Sequence, residues 1–143
     1  MIYDSIFIKR LENATLEPIT AHGIIRLNPG ARIIESKVLG PVYLNRHTQI
    51  GPDATIGKYF GMNEHGFVAR ATVGAYCAFG ARTAINPFNH PVDWLSTNEF
   101  QYHPRSFDWV PEYNDFKRLE RTPEMFHHVT IGNDVWTGHN VNI

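Results

Sequence analysis

The chain has 143 residues, room for one domain with an apolar core and hardly for two. Hydrophobic residues at 43% and charged residues at 19% exclude a disordered chain. The net charge of −1 offers no electrostatic reason to bind nucleic acid or an anionic membrane. A single cysteine, Cys77, excludes an internal disulfide and any multi-cysteine metal or cluster site, and no run of eighteen apolar residues is present to insert in a membrane. The first ten residues lack the basic stretch and apolar core of a signal peptide, so the expected location is cytoplasmic.

In chain order, residues 1–37 read as an N-terminal cap and degenerate coil. Residues 1–18 form a leading strand or cap, and 19–37 an irregular first coil with a turn at Pro29-Gly30. From residue 38 a strict rhythm sets in. Apolar anchors fall at Val38, Leu44, Ile50, Ile56 and Met62, every sixth residue. After one step of five the count resumes at Phe67, Val73, Phe79 and Ile85. The residue after most anchors is Gly or Asn (Asn45, Gly51, Gly57, Asn63, Gly74, Gly80, Asn86), the types that best tolerate a left-handed backbone at a corner. Two residues before most anchors stands a small or β-branched residue: Thr48, Ala54, Ala71, Cys77, Thr83. The rhythm stops over residues 91–128 and resumes over 129–143, with anchors at Ile131 and Ile143 and with Thr137 where an apolar residue is due. The interrupting stretch carries Trp94 and Trp109, four prolines and a short segment, Pro123 to Phe126, that reads as a helical turn. A long aromatic insertion between repeats is expected to be a functional loop.

Neither a helical period of 3.6 nor a long alternation of two accounts for this pattern. Three hexads close one coil of about eighteen residues, and stacked coils bury an apolar column that no single coil buries alone. The expected fold is therefore an all-β solenoid, a parallel β-helix of one domain with a long loop excursion. A sandwich of short strands is the competing arrangement, and it gives no reason for a six-residue step through nine anchors. Spacing does not set the hand of the coil; the general preference of parallel crossovers is right-handed.

Two stretches carry a resemblance. The segment from Ile131 to Ile143, with Gly132, Trp136 and Gly138, is similar to the Ile-Gly-x-x-x-Trp-Ile-Gly segment of hexapeptide-repeat acyltransferases. Ile85-Asn-Pro-Phe-Asn-His90 followed by a long loop resembles the xenobiotic (streptogramin and chloramphenicol) acetyltransferase branch of that superfamily. The resemblance implies a left-handed parallel β-helix, a homotrimer with sites between subunits, and no metal. It implies acetyl-CoA as co-substrate, a small-molecule hydroxyl acceptor such as an antibiotic or sugar, and His90 as general base. Asn89, Trp94, Trp136 and Thr137 are then the expected substrate- or cofactor-binding residues. An amino-sugar N-acetyltransferase and a non-catalytic solenoid scaffold are the alternatives. Family members continue through further coils, so the chain ending at Ile143 reads as truncated.

The residues themselves support a base at that place. A neutral imidazole is the usual acceptor for an alcohol proton near neutral pH, and His90 stands where the regular coils end. Asp93 is a candidate to orient the ring. Cys77, on an interior position, reads as packing. Lys117, Arg118 and Arg121 read as a solvated face.

Overall fold

The computed structural model describes residues 8–10, 15–17, 20–87, 89–103, 107–113, 118–121 and 127–143. The expected helical turn at 123–126, and Lys117, lie outside the described residues. The chain divides into two compact units, one of residues 1–87 and 128–143, the other of residues 88–127.

The first unit is a parallel β-helix, as the repeat predicts. Three parallel sheets share its sixteen described strands. One holds β1 (Ile8–Arg10), β4 (Ile25–Leu27), β7 (Val42–Leu44), β10 (Phe60–Met62), β13 (Ala78–Phe79) and β16 (Trp136–Thr137). The second holds β2 (Thr15–Glu17), β5 (Arg32–Ile34), β8 (Gln49–Ile50), β11 (Phe67–Val68) and β14 (Ala84–Ile85). The third holds β3 (Thr20–His22), β6 (Lys37–Leu39), β9 (Ala54–Ile56), β12 (Ala71–Val73) and β15 (Val129–Ile131). Consecutive strands pass from sheet to sheet, and each strand pairs with the one a coil away.

Anchors stack into columns. Leu27, Leu44, Met62, Phe79 and Thr137 are in register down the first sheet, and Ala21, Val38, Ile56, Val73 and Ile131 down the third. Nearly all are shielded from water, and each large aliphatic anchor buried this way contributes about 1.5–3 kcal/mol. The small residues two positions earlier, Thr48, Ala54, Ala71, Cys77 and Thr83, are buried as expected, and the Cys77 thiol donates to the Gly132 carbonyl at 3.2 Å. Ile143 keeps the register, with Asn142 bridged to Ala84, and is half exposed.

Three details of the sequence reading change. The ninefold anchor series includes Val68, not Phe67: Val68 is fully buried and pairs with Ile50 and Ile85, while Phe67 lies on the outer side. The five-residue step therefore follows Val68 instead of preceding it. Residues 19–37 are not degenerate either. Ala21, Leu27 and Ile33 are buried anchors in full register, and a second five-residue step separates Ile33 from Val38.

The third change concerns glycine. Left-handed backbone falls mostly two residues later than expected, on non-glycine residues such as His47, Tyr59, His65, Tyr76 and Arg82; of the Gly and Asn following anchors, Gly51 and Asn86 adopt it. Glycine after the anchor is needed for space. A Cβ on Gly80 would stand 2.3 Å from the Gly138 carbonyl oxygen, and one on Gly74 2.6 Å from that of Gly132. Successive coil corners touch there, and only a residue without a side chain fits. Asparagine at this corner does a different job. Asn28, Asn45 and Asn63 form a side-chain ladder, Asn28 Nδ2 donating to Asn45 Oδ1 and Asn45 Nδ2 to Asn63 Oδ1 at 3.1 Å.

The chain leaves and re-enters the helix without losing phase. Ala78 is in register with Trp136, and side chains on adjacent coils across the interruption are 58 residues apart where 17 or 18 is the rule elsewhere. The re-entry is pinned by His128, whose Nε2 lies 2.9 Å from Thr72 Oγ1 and whose Nδ1 lies 4.0 Å from Asp53. Thr137 takes the apolar place without shifting the phase. Its hydroxyl accepts from the Gly80 N–H at 3.2 Å and lies 3.3 Å from Thr83 Oγ1, which satisfies it in a buried setting.

Candidate functional site

His90 belongs to the second unit, and a short folded loop meets it there. Ser96 Oγ accepts from the Asn98 N–H, and Asn98 Oδ1 caps a 3₁₀ turn, Glu99–Gln101, by accepting from Phe100 N at 3.0 Å. Asn and Ser at such positions close turns because their short side chains reach backbone N–H groups two residues on. Gln101 Nε2 donates back to the Ser96 carbonyl, and the Gln101 carbonyl accepts from Leu119 N at 2.7 Å. The turn delivers two oxygens to one nitrogen: the Thr97 carbonyl lies 3.0 Å and the Tyr102 hydroxyl 2.7 Å from His90 Nδ1.

A carbonyl only accepts, so its bond to the ring requires hydrogen on Nδ1. Nε2 then carries the lone pair, and the imidazole is exposed. An exposed ring whose inner nitrogen is held and whose outer nitrogen is an acceptor is arranged to take a proton from an incoming group. Asp93 does not orient it; the ring partners are Thr97 and Tyr102.

Tyr102 is nearly buried, at 7% exposure. Trp94 packs edge-on against its ring with centroids 5.8 Å apart, and the Arg121 guanidinium sits 5.8 Å from the ring centroid on its face. Arg121 is thus engaged with an aromatic ring and is not simply a solvated charge. Burial, and to a lesser degree the nearby Glu99 carboxylate, raise the Tyr102 phenol above its ordinary value of 10, against an opposing pull from Arg121. It is a neutral phenol at physiological pH. Asn89, beside His90, is exposed.

Trp136 and Thr137 belong to the coil unit. Trp136 points outward from β16 and is 78% exposed, whereas Thr137 points into the column with its hydroxyl already occupied. Along the outer face of the first sheet, Arg26, Tyr43, Gly61, Ala78 and Trp136 are in register. Glycine at 61 lets the Tyr43 ring lie flat across the next strand, since a Cβ there would come within 2.3 Å of the ring. Beside it, Tyr59 and Tyr76 stack with centroids 4.9 Å apart. Ile24, Arg26, Pro41, Tyr43 and Tyr59 wall a pocket of about 360 Å³ floored by Val42 and Phe60. The hexad pattern finds the inward residues and leaves the outward ones unread, so this aromatic face escaped the sequence reading. The signal that could have found it is the recurrence of tyrosine at outward positions one coil apart, as at Tyr59 and Tyr76.

Among the described residues no group of three or more His, Cys, Asp or Glu side chains converges. No described helix is long and apolar enough to cross a membrane. Searches against protein-family models, curated proteins and solved structures return no match to this chain.

Proposed function

We propose that this protein is an acetyltransferase that moves acetyl from acetyl-CoA to a hydroxyl of a small molecule, with His90 as general base. The observation that carries the reading is the orientation of His90: its inner nitrogen is held by the Thr97 carbonyl, and its outer nitrogen is left as an exposed proton acceptor. The solenoid and the place of the excursion within it agree with the resemblance to the xenobiotic acetyltransferase branch. Under this reading the coil is left-handed, the protein is a cytoplasmic homotrimer, and no metal takes part.

Nε2 accepts the acceptor's hydroxyl proton as its oxygen attacks the thioester carbonyl carbon. The tetrahedral adduct collapses, the carbon–sulfur bond breaks, and the imidazolium returns its proton to the leaving thiolate. The products are an acetyl ester and free CoA. General-base help of this kind is worth about 10²–10⁴-fold, and holding both substrates together supplies the larger share. In the unit that holds His90, Asn89 and Trp94 are the proposed contact residues; in the coil unit, Trp136 is exposed and the aromatic pocket has the apolar lining that suits a ligand body.

Thiol release from acetyl-CoA, scored against a panel of hydroxyl and amino-sugar acceptors, tests the reading. His90→Ala should lower kcat by roughly 10² or more at unchanged melting temperature. Unchanged turnover removes His90 from the chemistry. Activity confined to amines replaces the hydroxyl acceptor with an amine. No calorimetric heat with acetyl-CoA favours a non-catalytic scaffold. A native mass that is not three times 16.4 kDa removes the trimer.

A further inference from the structure

We propose that Tyr102 is a positioning residue that clamps the His90 ring: the Thr97 carbonyl selects the tautomer with hydrogen on Nδ1, and the Tyr102 hydroxyl is the second point that fixes the orientation of the ring. The inference rests on the reading of His90 as the base and adds the group that orients it.

A histidine held at one nitrogen by a single carbonyl can still pivot about that contact. The second oxygen changes this. With hydrogen on Nδ1, both the Thr97 carbonyl at 3.0 Å and the Tyr102 oxygen at 2.7 Å accept from it in a three-centre bond, and the ring is fixed at two points. With hydrogen on Nε2 instead, the Nδ1 lone pair would face the carbonyl lone pairs at 3.0 Å and leave that carbonyl without its bond. Tyr102 suits the acceptor role because its ring is itself immobile: it is nearly buried, abutted by Trp94 and covered by Arg121. Its hydroxyl oxygen has lone pairs with which to accept. When Nε2 takes a proton, Nδ1–H keeps both acceptors, so the ring need not turn during the reaction. No charge has to be placed beside the imidazole to hold it.

The test is nitrogen NMR on protein labelled at histidine, with the imidazoles neutral, because the two ring-nitrogen shifts identify the tautomer directly. In the unmodified protein His90 should be in the Nδ1–H form; an Nε2–H ring overturns the proposal without any variant. Tyr102→Phe keeps the packed ring and removes only the oxygen. It should melt at the unchanged temperature, keep the Nδ1–H form of His90 with shifted and broadened ring-nitrogen signals, and lose about three- to ten-fold in kcat with KM for acetyl-CoA unchanged, the size expected for one neutral hydrogen bond. A Tyr102→Phe protein with unchanged His90 ring-nitrogen signals and undiminished kcat overturns the clamp. Ring-nitrogen signals that respond to Tyr102→Phe in a protein that acetylates nothing uphold the clamp and sink the transferase reading instead.

Discussion

One residue, Thr137, shows how a hexad tolerates a polar side chain in its column. Its hydroxyl is matched by the Gly80 N–H and by Thr83 Oγ1 one coil away, and the side chain stays buried. A hydroxyl without such partners would cost about 1–3 kcal/mol. Position within the coil, not residue size, decides what each side chain is worth. Met62 is fully buried in the column, whereas Phe67, the larger side chain, stands on the outer face of β11. Met62→Ala should therefore cost about 2–5 kcal/mol in denaturant unfolding and Phe67→Ala clearly less. The reverse order would show that the five-residue step precedes residue 67 after all. The His90 site is legible at this scale only in part. An Asn-His pair at the end of a coil points to the histidine, but nothing in the sequence says that Thr97 and Tyr102, seven and twelve residues on, return to its ring. That convergence comes from a 3₁₀ turn whose capping residues, Ser96 and Asn98, are read correctly only once the turn exists.

At the scale of the element, the coil corner is the demanding feature. Successive corners approach so closely that Gly80 has no room for a methyl group beneath Gly138, whereas a Cβ on Gly138 would meet only the edge of the Trp136 ring at 3.9 Å. Gly80→Ala should destabilise the protein by more than 1 kcal/mol in thermal unfolding, because the clash is with backbone, and Gly138→Ala should be close to neutral. Equal losses would mean that glycine is required there for its conformational freedom and not for the contact. Glycine after the anchor suggests left-handed turns, for which it is the usual choice. In the structure His47, Tyr59, His65, Tyr76 and Arg82 adopt that backbone themselves. Stacking explains part of the tolerance: the His47 and His65 rings stack with centroids 5.2 Å apart, and so do those of Tyr59 and Tyr76, giving contacts along each corner column.

At the scale of the whole molecule, the excursion is inserted at a place where the repeat can close over it. With residues 88–127 removed, Ile85 and Ile131 would stand six residues apart, an ordinary hexad step, and Ala78 would be eighteen residues from Trp136. A chain lacking 88–127, joined directly from Pro87 to His128, should keep its β-rich circular dichroism and cooperative melting while losing transferase activity. Collapse of that chain would show that the coils depend on the excursion for their stability.

The fold was legible in the residues because a solenoid is nearly one-dimensional. Each coil contacts chiefly its neighbours, so a local rhythm of apolar, small and glycine positions specifies the architecture with little long-range information. Composition and spacing alone determined the parallel β-helix, the inward face of most of the regular strands and the site of the interruption. Tertiary structure decided which of two adjacent residues turns inward after a short step, which corners need space, and which outward tyrosines gather into a pocket. It also decided the setting of His90, since the partners of a ring nitrogen depend on how a non-repeating loop folds back, and no period in the sequence encodes that.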